Sequence, residues 1–109
     1  MISKTKILVV DPDIDSLSKI YLNLLHRNYK VEACNTQDEI GERIKRMKPS
    51  ILIIHHQLYW EVEKKLKMPV IVLFEEHSPI SIRELEDLKV LRKPVPTDEL
   101  MGAVRSLTV

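Results

Sequence analysis

Three short apolar runs punctuate an otherwise mixed chain: Ile7–Val10, Ile51–Ile54 and Val70–Phe74. Each is rich in β-branched residues and does not alternate with polar ones, the pattern of strands covered on both faces within a parallel sheet. A fourth strand is predicted over Tyr29–Cys34, where Tyr29, Val31 and Ala33 alternate with Lys30 and Glu32. A fifth, short and at an edge, is predicted over Lys89–Arg92. Helical spacing fills the gaps. Ile14, Leu17, Tyr21, Leu24 and Leu25 mark one face of a helix running to Arg27, with Asp13 placed to cap its start. Thr36-x-x-Glu39 and Ser81-x-x-Glu84 read as capping boxes. The first opens a helix carrying Ile40, Ile44 and Met47 and closed by Pro49; the second opens one carrying Ile82, Leu85 and Leu88. Thr97, ahead of Asp98 and Glu99, is placed to cap a last helix with Leu100, Val104 and Leu107 inward. Between Tyr59 and Lys67 there is room for only a short helix.

Strict alternation of strand and helix implies an α/β fold with a parallel sheet. Right-handed crossovers and the length of 109 residues point to a flavodoxin-like, doubly wound five-stranded sheet of order 2-1-3-4-5 with a shortened third helix. One domain over 1–109 suits that length. The remaining composition removes whole classes of function. A net charge of +1 gives no electrostatic footprint for nucleic acid. Two glycines, Gly41 and Gly102, cannot build a glycine-rich phosphate loop. A single cysteine, Cys34, excludes an intrachain disulfide and any Cys-x-x-Cys motif. The apolar run Ile7–Val10 is too short for a signal peptide, and no stretch approaches the roughly 18 apolar residues of a membrane span. The expectation is a soluble, cytoplasmic protein with no membrane contact.

In such a fold the functional crevice lies beyond the carboxyl ends of the strands. Four segments fall there: Asp11-Pro12-Asp13, His55-His56-Gln57, Phe74-Glu75-Glu76 and Lys93-Pro94. With Lys6–Asp11, Pro49–Ile54, Met68–Leu73 and Arg92–Pro94 followed by Asp98-Glu99-Leu100, the chain resembles a response-regulator receiver domain of two-component, phosphorelay signal transduction over almost its whole length. The resemblance implies an acceptor Asp after the third strand and an acidic pair holding Mg²⁺ after the first. It further implies a hydroxyl after the fourth strand, and a Lys after the fifth whose bond to Pro is cis.

This chain departs from that pattern at most of those places. His55 stands at the acceptor position, and Pro12 at the second acidic position beside Asp11. Phe74 replaces the hydroxyl, and Val90 falls where an aromatic switch residue sits. Asp11, Lys93 and Pro94 remain, and Asp13 is two residues from Asp11. Mg²⁺ takes about six hard oxygen ligands, and two such donors are missing. Without a metal or donors, the charge on a transferring phosphoryl group is not stabilised. The expectation is a degenerate pseudo-receiver: no catalysis, no cofactor, weak or absent Mg²⁺ binding, and a vestigial pocket of Asp11, Asp13, His55, Phe74 and Lys93.

Other readings compete with this one. A metal site of His55 with Asp11 and Asp13 is set against an imidazole that is hydrogen-bonded inside the vacated acidic pocket; the latter is preferred, and adjacent His55 and His56 point to opposite faces. Lys93 can be held permanently by Asp11, Asp13 or Glu75. Tyr59 and Trp60 form a candidate partner-binding rim or fill space beside the short helix. Arg83, Glu84, Glu86, Asp87, Glu99 and Arg105 form a mixed-charge face, a second candidate interface. The leading function is a phosphorylation-independent protein-interaction or dimerisation module, either free-standing or one domain of a larger regulator. Its partner is a second copy, a sensor kinase or an output domain. The alternatives are a receiver switched by another ligand or a displaced acid, and a metal-binding or enzymatic protein on the same fold.

Overall fold

The computed structural model describes residues 5–59, 66–75 and 89–108. Its elements are β1 (Lys6–Val10), α1 (Ile14–His26), β2 (Lys30–Cys34), α2 (Ile40–Met47, entered through a 3₁₀ turn at Gln37–Glu39), β3 (Ile51–His55), α3 (His56–Tyr59), β4 (Val70–Phe74), β5 (Lys89–Arg92) and α4 (Thr97–Leu107). The helix expected from Ser81 lies outside the described residues. The five strands form one sheet of order β2-β1-β3-β4-β5, every pairing parallel. This is the flavodoxin-like order expected from the alternation of elements.

Strand alternation distributes the apolar residues between two layers. Ile7, Val9, Ile51, Ile53, Ile71 and Leu73 face α1 and α4, where they meet Leu17, Leu24, Leu100 and Val104. Leu8, Val10, Leu52, Ile54, Val72 and Phe74 face the other way, toward Ile40 and Met47 of α2. All five residues of β3 and of β4 are buried, which is why neither strand alternates in sequence. The edge strands β2 and β5 are only partly buried.

Several local expectations need correction. In α1 the third buried residue is Ile20, while Ile14 and Leu25 are 53% and 42% exposed. The inward stripe is therefore Leu17, Ile20 and Leu24, and the longer sequence stripe mixed inward and outward apolar positions. Thr36 makes no side-chain cap bond, because the chain enters α2 through the 3₁₀ turn and the Glu39 carboxylate turns to Arg43 at 3.5 Å. Thr97 is the first residue of α4 rather than its cap; Pro96 holds the cap position with extended backbone and no side-chain bond. Asp13, by contrast, caps α1 as expected, accepting the Asp15 N–H at 3.1 Å.

Candidate functional site

The register that builds the sheet also assembles the site. Val10 pairs with Ile54, His55 with Leu73 and Phe74 with Arg92. One step further along the strands, Asp11 lies level with His55, and Glu75 level with Lys93. All four share the strand parity of the layer facing α1 and α4, so their side chains converge at one end of it. His56 shares the parity of Phe74, on the other side of the sheet.

On the first side the polar groups form a chain of contacts. Lys93 Nζ lies 2.6 Å from Asp11 Oδ2 and 3.8 Å from Glu75 Oε1. Asp11 has no exposed surface and Lys93 is 8% exposed. At 2.6 Å in a buried setting, Lys93 and Asp11 form a close ion pair. Asp11 Oδ1 accepts the Asp13 N–H at 3.0 Å, which also bends the chain into α1. His55, 2% exposed, accepts the Gln57 N–H weakly at Nδ1, 3.4 Å away. That contact assigns the ring proton to Nε2, which donates to Glu75 Oε1 at 2.9 Å. The Lys93 main-chain N–H donates to the Phe74 carbonyl at 2.8 Å, and the Lys93–Pro94 peptide is cis.

On the second side, the His56 ring stacks on Phe74 with centroids 4.7 Å apart and an interplanar angle of 7°. It also leans on His55 at 4.6 Å. Its Nε2 is buried with no hydrogen-bond partner among the described residues. Desolvation holds the His56 pKa below its ordinary 6.5, and the electrostatic influence of neighbouring His55 and Lys93 acts in the same direction, while Glu75 opposes them. The unfolded chain therefore takes up a proton at His56 before the folded one does. Its contribution to stability is fully present above pH 6.5 and is lost as pH falls through the lowered folded value. Across that window each pH unit removes up to about 1.4 kcal/mol. His56→Phe keeps the stack and should flatten this fall; urea midpoints at neutral and mildly acid pH, for wild type and variant, measure it. An equal acid loss in the variant would place the effect elsewhere.

Of the residues expected in the pocket, Asp11, His55 and Lys93 meet, joined by Glu75. Asp13 is beside them, but its carboxylate serves α1. Phe74 is 2% exposed and belongs to the opposite layer, where it fills core volume. Among the described residues, no group of three His, Cys, Asp or Glu side chains is arranged to hold a metal ion. The link from His55 to Glu75 was not foreseen; its signal was the shared parity of Leu73, Glu75, Leu91 and Lys93. Tyr59 is half-buried against the α2-side core, and Arg105 is exposed on α4. Trp60, Arg83, Glu84, Glu86 and Asp87 lie outside the described residues.

No protein-family model matches the chain, and no curated protein matches its sequence. Solved structures do match its fold. A putative response regulator from Chloroflexus aurantiacus superposes with a TM-score of 0.78 at 20% identity, over 96% of this chain and 98% of that one. A CheY-like response regulator receiver domain from Methylobacillus flagellatus gives 0.76 at 11% identity, over 96% and 99%. NtrX from Brucella abortus gives 0.83 at 17% identity, over 98% of this chain but 26% of the longer partner. The chain thus has the fold of receiver domains. Among the described residues, no helix is long and apolar enough to cross a membrane.

Proposed function

We propose that this chain is a pseudo-receiver, a signalling module that works through a constitutive protein interface or as a dimer and not through phosphorylation. The observation that carries the reading is the internal neutralisation of the pocket. The ammonium of Lys93 is 2.6 Å from Asp11 Oδ2, and His55, in the acceptor position, is bonded to Glu75. Among the described residues, the charged groups that would meet a phosphoryl donor, Asp11, Lys93 and Glu75, are each already paired within the chain. Mg²⁺ does not fit this donor set: of the two carboxylates that face the site, Asp11 is engaged by Lys93 and by the Asp13 N–H, and Glu75 by His55, while Pro12 and an imidazole stand where further oxygen donors would be needed.

The sequence offers two candidates for the interface, the segment of Tyr59 and Trp60 and the mixed-charge set Arg83, Glu84, Glu86, Asp87 and Arg105; of the described members, Tyr59 is half-buried and Arg105 exposed. The partner is a protein, either a second copy or a sensor-kinase or output domain. The near-neutral charge favours no direct contact with nucleic acid. The test is amide NMR with Mg²⁺ and a beryllium fluoride phosphoryl analogue. No change at Asp11, His55 or Lys93 is expected. Saturable shifts clustered on those three residues would overturn the proposal.

A further inference from the structure

The geometry points to an oxyanion seat made by His55 Nε2–H and Lys93 Nζ, which Glu75 fills from within and which takes a small monocarboxylate when Glu75 leaves. Both groups belong to residues more than nine-tenths buried, and both lie beside one oxygen, Glu75 Oε1: His55 Nε2 at a hydrogen-bond distance of 2.9 Å and Lys93 Nζ at an ion-pair distance of 3.8 Å. The Gln57 N–H at Nδ1 keeps the imidazole in the tautomer that donates there. An ammonium carries three N–H groups, so the 2.6 Å pair with Asp11 leaves Lys93 able to face a second oxygen. Removing Glu75 would leave His55 Nε2–H without its acceptor and Lys93 with Asp11 alone. A bound carboxylate would take the place of Glu75.

Glu75 differs from the groups it meets. Its side chain is 53% exposed. What fixes it is its main chain, whose carbonyl accepts Arg92 Nη1 at 3.0 Å. The carboxylate can therefore rotate to solvent without disturbing the strand. Beside it opens a cleft of about 280 Å³ between α1 and the start of the β5–α4 connection, lined by Asp13, Asp15, Lys19, Ile20, Lys93 and Pro94 among others. This leaves room and a route for a small ligand. Charge selects the class. The seat now holds one carboxylate, and with Asp11 pairing Lys93 and with Asp13 and Asp15 lining the cleft, a second negative charge on the ligand is disfavoured. The inference concerns binding alone and goes beyond the interaction role, since it needs neither phosphorylation nor a partner.

A tethered group competes at an effective concentration in the millimolar range for a short flexible link. Wild type should therefore bind formate weakly and Glu75→Ala more tightly, by at least about 10-fold in Kd. Formate titrations followed by amide and imidazole ¹⁵N NMR in Mg²⁺-free buffer measure both proteins. In Glu75→Ala the shifts should saturate and centre on His55 and Lys93. Glu75→Gln, whose amide oxygen still accepts from His55, should fall between the two. Three results would overturn the seat: no saturable binding to folded Glu75→Ala, equal affinity in wild type, or shifts centred on another part of the molecule. Because no Mg²⁺ or phosphoryl analogue is present, failure here leaves the pseudo-receiver reading standing, and the reverse holds.

Discussion

Replacing Lys93 with Met should destabilise the domain by about 3–5 kcal/mol, the range seen when one partner of a buried ion pair is removed. Asp11 has no exposed surface, and without the ammonium at 2.6 Å its carboxylate keeps only the Asp13 N–H. The loss is the cost of a buried, uncompensated charge rather than the worth of the pair itself. For a domain of this size that is a fall in Tm of more than about 10 °C. The pair should then behave as a unit. Asp11→Asn in the Lys93→Met background removes the stranded charge while its amide oxygen still accepts the Asp13 N–H. Most of the lost stability should return, and the double-mutant cycle should show strong coupling. Thermal and urea unfolding of the two single variants and the double variant settle it. A Lys93→Met variant within about 1 kcal/mol of wild type would mean that the pocket is open and hydrated, and that its internal neutralisation is not structural.

The contrast between fold and site shows what a sequence can and cannot convey. The sheet order was legible because β3 and β4 are uninterrupted apolar runs, and such runs are stable only when both faces are covered. Cap positions were less legible. Thr36-x-x-Glu39 has the letters of a capping box, but Glu39 lies within reach of Arg43, and the 3₁₀ entry leaves Thr36 without a donor to accept from. Tertiary partners and backbone geometry outweighed a local motif. The stripe of α1 failed for a related reason: Ile14 and Leu25 satisfy helical spacing with Leu17 and Leu24, and only the sheet beneath decides that Ile20 is inward.

The site was legible in most of its members and in part of its pairings: Asp11 and Glu75 are two of the three carboxylates open to Lys93 in the sequence, whereas the bond from His55 to Glu75 was not legible. Asp11, His55 and Lys93 each end a strand, so their meeting followed from the topology. That Glu75 would link His55 to Lys93 depended on register, which pairs Phe74 with Arg92 and so brings Glu75 level with Lys93. That Asp13 would serve α1 depended on which of two roles open to its carboxylate is taken. The helix cap satisfies an N–H that has no intrahelical partner, whereas a turn inward would add a second carboxylate beside Asp11. The stack of His56 on Phe74 depended on the opposite parity of these two residues, visible only once the strand ends were known.

Restoring an acidic residue at the acceptor position should not restore phosphorylation. In His55→Asp a carboxylate replaces a ring that is 2% exposed and bonded to Glu75 at 2.9 Å. The hydrogen bond to a charged acceptor is lost, worth about 1.5–3 kcal/mol. Three carboxylates, at positions 11, 55 and 75, would then share the single ammonium of Lys93, and like charges so placed favour protonation of one of them. A protonated acid is a poor nucleophile. The electrostatics of transfer are also unrepaired: Pro12 offers no metal ligand and Phe74 no hydroxyl. Loss of a single oxyanion donor slows comparable reactions by about 100- to 1,000-fold. Incubation with acetyl phosphate and Mg²⁺, read by intact-protein mass, should therefore show no phosphorylated His55→Asp species, at least about 100-fold less than a receiver with the full set. Adding Pro12→Asp at an exposed bend should raise the yield, since it supplies the second metal-facing acid without touching the core. Efficient Mg²⁺-dependent labelling of the single variant would mean that Asp13 leaves the cap of α1 to serve as that acid, and a restored site would then be one substitution away.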